Sequence, residues 1–244
     1  MELYFSDHIL FLLVGVIIPL RTVMATQPEI MHMQFTTKLK LQLYWGNNIY
    51  LWLLAAATVG VWWFNGRSFT DLGFNWPPVA PSGAPLYVLV GFAGLYLADT
   101  FLELRAAIAQ AAEGDEDDLE KIPLELGFLP QTPYEYLHFI SVALTAGICE
   151  EVIFRGYFIR YFQLLLGLEE ATHTLAILLP ALIFGIVHIY QGWRAVIKIS
   201  SMAIVFGYVF VHTESLWWLI GLHAAIDLLA GALAWWLGAR AAKA

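Results

Sequence analysis

Apolar residues gather along the chain into seven stretches, six of them roughly the 17–25 residues that a bilayer requires and the fourth longer. They lie at about residues 7–24, 48–64, 84–104, 134–166, 172–190, 195–212 and 215–237. Each reads as a membrane-spanning helix, because backbone in hydrocarbon has to satisfy its own hydrogen bonds and a helix does so within one segment. The polar intervals between them carry turn and interface signals. Residues 27–44 are mixed and include Lys38 and Lys40, a pattern that fits an interfacial amphipathic helix. Residues 65–85 contain four prolines and read as a turn-rich link. The fourth stretch opens at Thr132-Pro133, with the proline suited to a first helical turn, and stops near Gly167. At about 1.5 Å per residue it is longer than the hydrocarbon is thick, so a long tilt or a kink is expected, marked by Gly147 or Gly156. Trp62 and Trp63 close the second stretch, and Trp217, Trp218, Trp235 and Trp236 bracket the seventh, as interface anchors do.

Composition agrees with this pattern. Of 244 residues 60% are hydrophobic and 13% charged, with mean hydropathy +0.69. A soluble domain is nearer half apolar and a quarter charged. The fold class is therefore all-α, a polytopic transmembrane helical bundle of about seven spans. The apolar run 9–20 is preceded by acidic Glu2 and Asp7 rather than by a basic region, so it does not read as a cleavable signal. The net charge of −8 comes largely from one acidic loop, residues 113–120, which reads as a solvated segment. No basic patch is present, which argues against nucleic acid as a partner. A single cysteine, Cys149, excludes an intrachain disulfide. No internal repeat is visible. Residues 1–132 supply N-terminal helices and the acidic loop, residues 133–244 a core that holds most of the unusual polar residues, and together they form one membrane-embedded unit. Most Lys and Arg residues fall on one side if the N-terminus lies outside and the C-terminus inside.

The most unusual stretch is Cys149-Glu150-Glu151-Val152-Ile153-Phe154-Arg155-Gly156, two carboxylates and an arginine inside an apolar run. Charges in hydrocarbon are costly, so such a cluster is a functional-site candidate. Glu151 and Arg155 stand at i,i+4 and can pair, whereas Glu150 is rotated away by about 100° and stays available. Two further constellations follow. Phe184-Gly185-Ile186-Val187-His188 puts a histidine near a helix end, and His223-Ala224-Ala225-Ile226-Asp227 puts His and Asp on one helical face. Together these supply what hydrolysis inside a membrane needs: a shielded carboxylate as general base, an imidazole to hold water or an oxyanion, and an arginine that keeps the second carboxylate ionised. Cys149, buried beside two carboxylates, is a poor candidate nucleophile. Asp99 and Glu103, like charges at i,i+4, read as interfacial, as does His138, while His173 and His212 read as loop or span-end residues.

In this order on successive helices, Glu-Glu-x-x-x-Arg, Phe-x-x-x-His and His-x-x-x-Asp resemble the CAAX protease and bacteriocin-processing (CPBP) family of intramembrane endopeptidases, which includes the Ras-converting CAAX prenyl endopeptidase. The resemblance covers about residues 133–236, and the Leu72-Gly73-Phe74 turn is also similar to that family's. It implies that Glu150 activates water with help from His188, that Glu151 and Arg155 complete the first motif, and that His223 and Asp227 stabilise the oxyanion. Where the prenyl endopeptidase has Asn, this chain has Asp227, which donates a hydrogen bond only when protonated and whose alternative role is to orient His223. The expected substrate is a membrane protein or lipidated peptide, within the lipid bilayer of a prokaryotic plasma membrane. No cofactor is expected. Zn²⁺ is the alternative, with Glu150, His188 and His223 as ligands by type, although no His-Glu-x-x-His motif is present. One ground for the metal-free expectation is that His188, unlike His223 with Asp227, has no evident partner within its own helix turn, where Phe184 stands at i−4 and Gly185 at i−3. Two other functions compete: a proton-coupled transporter using the same residues as a relay, and a non-catalytic membrane scaffold. Transporters commonly carry inverted repeats, which are missing here, and unused buried charges would be a pure cost to a scaffold.

Overall fold

The structure, a computed structural model, describes residues 1–25, 35–113, 127–167 and 170–241. The described residues form helices and no strand. In chain order these are α1 (Phe5–Ala25), α2 (Thr37–Phe64), α3 (Ala84–Glu113), α4 (Pro133–Leu166), α5 (Glu170–Ile186), α6 (Trp193–Thr213) and α7 (Trp217–Ala241). Five of them, α1, α3, α4, α6 and α7, are long and apolar enough to cross a membrane, and α5 has a shorter apolar stretch, Thr174–Ile186. The protein is an integral membrane protein, a polytopic helical bundle. The acidic loop lies outside the described residues.

The bundle is organised around α4. It packs against α2 on one side and α7 on another, its last two turns lie on α5, and α3 rests against α6 and α7 at the periphery. The helix starts as its sequence dictates: the Thr132 hydroxyl accepts from the Glu135 N–H at 3.1 Å, and Pro133 occupies the first turn. Residues Glu151–Phe158, which include Gly156, form a π-helical segment between two α-helical halves, an irregularity that recurs at functional sites. The two glycines serve close packing. A Cβ at Gly147 would lie 3.0 Å from the backbone nitrogen of Ala224, so this position lets α7 approach α4 closely. A Cβ at Gly156 would lie 2.7 Å from the Leu72 carbonyl, so the Leu72-Gly73-Phe74 turn docks its backbone directly on the π segment. The Gly73 carbonyl then accepts from the Leu216 N–H at 2.9 Å, tying that turn to the entry of α7.

Among the described residues, ion pairs between distant segments fasten the bundle, and local sequence pattern hides them. Arg67, in the turn after α2, grips Asp7 of α1 with two bonds of 2.8 and 2.6 Å, a bidentate geometry that only arginine offers a carboxylate. The Tyr157 hydroxyl donates to the same carboxylate at 3.0 Å, so α1 is fastened to the π segment of α4. Lys40 donates to Glu135 at 3.1 Å and to the Leu129 carbonyl at 2.9 Å. This pair corrects the expectation of a separate interfacial helix over residues 27–44. Residues 26–34 lie outside the described residues, but Thr37 onward is the start of α2 itself, and Lys40 is buried against α4 because Glu135 supplies its counter-charge. Lys198 of α6 lies 2.8 Å from Asp99 and 3.1 Å from Glu103, so the two like charges of α3 share one cation. Tyr157→Phe keeps the ring and removes one buried hydroxyl bond. It is expected to cost about 1 kcal/mol, read as a lowered unfolding midpoint in detergent, and an unchanged midpoint would mean that the hydroxyl does not fasten α1.

Candidate active site

The carboxylates of α4 face α7 because Gly147, one turn earlier, has let the two helices close. His223 of α7 inserts between them. Its Nδ1 lies 2.7 Å from Glu151 Oε1. An ionised carboxylate can only accept, so Nδ1 carries the proton in that bond. The other ring nitrogen, Nε2, lies 3.7 Å from Glu150 Oε2 and 3.8 Å from Asp227 Oδ2. Both distances exceed a hydrogen bond, so Nε2 points into a gap flanked by two acidic groups. Access is graded across this cluster: the side chain of Glu151 is 0% exposed, that of His223 4%, Glu150 13% and Asp227 32%. Asp227 stands at the open side, Glu151 at the sealed one.

Arg155 closes the sealed side. Its guanidinium lies 3.0 Å from Glu151 Oε1, the i,i+4 pair expected from the spacing. That contact is an ion pair rather than an aligned hydrogen bond: both terminal guanidinium nitrogens and Glu151 Oε2 are without a hydrogen-bond partner among the described residues. Two aromatic faces compensate for the lost water. Arg155 lies 4.7 Å from the Phe184 ring centre and 5.4 Å from that of Phe206, a favourable arrangement for a desolvated cation. The same two rings meet the His223 imidazole edge-on at 6.5 and 6.1 Å. Phe184 belongs to the Phe-x-x-x-His pattern visible in sequence. Phe206 belongs to no motif, and only packing brings it to the site.

His188 stands just beyond the end of α5, before a 3₁₀ turn at Ile189–Gln191. Its ring lies 4.8 Å from the Phe184 ring, which in turn contacts the His223 ring. Its Nδ1 lies 2.7 Å from the Phe184 carbonyl, the i−4 group. A carbonyl only accepts, so Nδ1 donates, and in the neutral imidazole Nε2 keeps its lone pair. This corrects the expectation that His188 lacks an acceptor in its own turn. At the end of α5 the His188 N–H bonds Gly185 instead, which leaves the Phe184 carbonyl for the side chain, as happens at helix ends. No hydrogen bond or ion pair joins His188 to Glu150 among the described residues.

The cluster therefore unites Glu150, Glu151, Arg155, His223 and Asp227 through direct contacts, with His188 linked through Phe184. Cys149 is buried and free. Among the described residues no three His, Cys, Asp or Glu side chains are placed to hold a metal ion. The arrangement can present a carboxylate to a water molecule and an imidazole N–H to developing negative charge.

Residues 132–229 match the model of a protein family described as type II CAAX prenyl endopeptidase Rce1-like. No curated protein and no solved structure matches the chain. The match begins one residue before α4 and extends past Asp227, so it takes in every residue of the site. The segment that builds the site is thus similar to that family over residues 132–229.

Proposed function

We propose that the protein is an intramembrane endopeptidase acting on a membrane-associated or lipidated protein or peptide, with Glu150 as general base. The observation that carries the reading is the convergence of Glu150, Glu151 and Asp227 around the imidazole of His223, with Glu151 neutralised by Arg155 and Glu150 making no ion pair with a Lys or Arg among the described residues. In this mechanism Glu150 takes a proton from water as its oxygen attacks the scissile carbonyl carbon. His188, whose Nε2 is held as an acceptor, orients that water. The carbonyl oxygen becomes an oxyanion and receives a hydrogen bond from His223 Nε2–H when the imidazole is charged. Glu150 then returns its proton to the leaving amine as the peptide bond breaks. Glu151 fixes the rotation of His223 through Nδ1, the task a carboxylate performs for the histidine of a serine-protease triad. Asp227, too distant from Nε2 for a hydrogen bond, balances the imidazolium charge. Glu151 thus takes the orienting task that was the alternative role of Asp227.

In this reading the chain lies N-terminus out and C-terminus in, in the plasma membrane of a prokaryotic cell. The test is a comparison of membrane proteomes from wild-type cells and a Glu150→Ala strain. A membrane protein or peptide is expected to keep an unprocessed terminus only in the variant, and identical termini throughout would remove the proposal. No step is routed through a metal. Activity of the purified protein is expected to survive exhaustive chelation. Stoichiometric zinc, with activity lost on its removal and restored by its return, would instead make Glu150, His188 and His223 ligands.

A further inference from the structure

We propose that the groove where α2 and α4 begin is a binding site for the headgroup of an anionic phospholipid. The groove is open to the surface, has a volume of about 630 Å³ and is lined by Thr37, Lys38, Gln42 and Trp45 of α2 and by Tyr134 and His138 of α4, among others. That volume lies in the range of small-molecule sites. It is separate from the catalytic cluster, since His138 and Glu150 stand twelve positions apart on α4, about 18 Å of helix. The proposal does not rest on the protease reading.

Charge points to an anion. Glu135, the acidic side chain in this first turn of α4, is buried and consumed by Lys40, Thr37 and the Gln131 N–H. Lys38 is exposed and makes no ion pair or hydrogen bond among the described residues. Gln42 and the ring nitrogens of His138 likewise have no hydrogen-bond partner there, leaving donors aimed at the groove without an internal use. The first turns of two helices also meet at this end, which adds positive potential.

Shape and setting point to a lipid rather than a free anion. Trp45 and Tyr134 flank the His138 ring edge-on, at 6.2 and 4.9 Å, and both are more than half or about half exposed. Such rings sit at the level of headgroups. Below them the surface turns apolar, with Ile49 and Trp52 on α2 and Leu137 and Leu144 on α4 all exposed. The Trp52 indole N–H is spent on Thr145 at 3.2 Å, so that ring offers the bilayer only carbon. An acyl chain can run down this strip while its phosphate meets Lys38, Gln42 and His138. With the N-terminus outside, this end faces the cytoplasmic leaflet, where anionic lipids concentrate.

Native mass spectrometry of the full-length protein tests this, with phosphatidylglycerol and phosphatidylcholine of identical chains supplied in equal amounts. Wild type is expected to retain phosphatidylglycerol preferentially. Lys38→Ala should lower that retention about fivefold, the effect of one basic residue at an anionic surface, leave phosphatidylcholine unchanged, and be rescued by Lys38→Arg. Lys38 is exposed, so the variants should melt as wild type does. Equal retention of the two lipids, or unchanged phosphatidylglycerol binding in a folded Lys38→Ala protein, would overturn the proposal. So would displacement of phosphatidylglycerol by soluble glycerol phosphate at equal concentration, which would make this a site for a free anion.

Discussion

Glu150→Gln is expected to lower peptide hydrolysis by on the order of 10²–10⁴-fold, the usual contribution of a general base, while the protein stays folded. Glutamine has the shape of glutamate but cannot take a proton from water. Little structural loss is expected, because Glu150 is the less buried of the two carboxylates and forms no ion pair with Arg155 among the described residues; its charged neighbour is His223, at 3.7 Å. Initial rates on a membrane-bound peptide, alongside an unfolding curve in detergent, distinguish loss of chemistry from loss of fold. A folded Glu150→Gln protein that cleaves at the wild-type rate would take the base role away from this residue. Glu151→Gln should behave differently. It leaves Arg155 without its counter-charge and weakens the bond that holds His223 Nδ1, so stability and activity should fall together.

Arg155→Ala should be the most destabilising single change at the site, by about 3–5 kcal/mol, the loss typical when one member of a buried ion pair is removed. Arg155 is 1% exposed and Glu151 0%. Removing the guanidinium strands a carboxylate in the interior and also opens a space between Phe184 and Phe206, which now sandwich it. The measurement is the unfolding free energy in detergent for wild type, Arg155→Ala and the pair Arg155→Met with Glu151→Gln. The double variant removes both charges and keeps most of the volume, so it should recover part of the lost stability. Equal stability of Arg155→Ala and wild type would mean that the pair contributes nothing to the fold. Neither variant should retain wild-type activity: Arg155→Ala leaves Glu151, which fixes the rotation of His223, without its counter-charge, and the double variant replaces Glu151 itself.

Hydropathy and spacing were sufficient for the seven helices and for their order. They were also sufficient for the Glu151–Arg155 pair, because i,i+4 geometry is a property of one helix and needs no partner. The three motifs placed the site on α4, the end of α5 and α7 before any packing was known. What tertiary structure alone decided are the contacts between helices. That Glu151 rather than Asp227 holds His223 depends on how closely α7 approaches at Gly147. The acceptor for His188 is a backbone carbonyl freed where α5 ends, and a scan of side-chain types passes over it. Phe206 joins the site without any motif. Lys40 looked like an interfacial charge because its counter-ion lies 95 residues away, and Asp7 and Arg67 are 60 residues apart. Periodicity reports which face of a helix is apolar. It carries no information on which distant charge will meet that face, because that depends on the depth and rotation at which two helices pack.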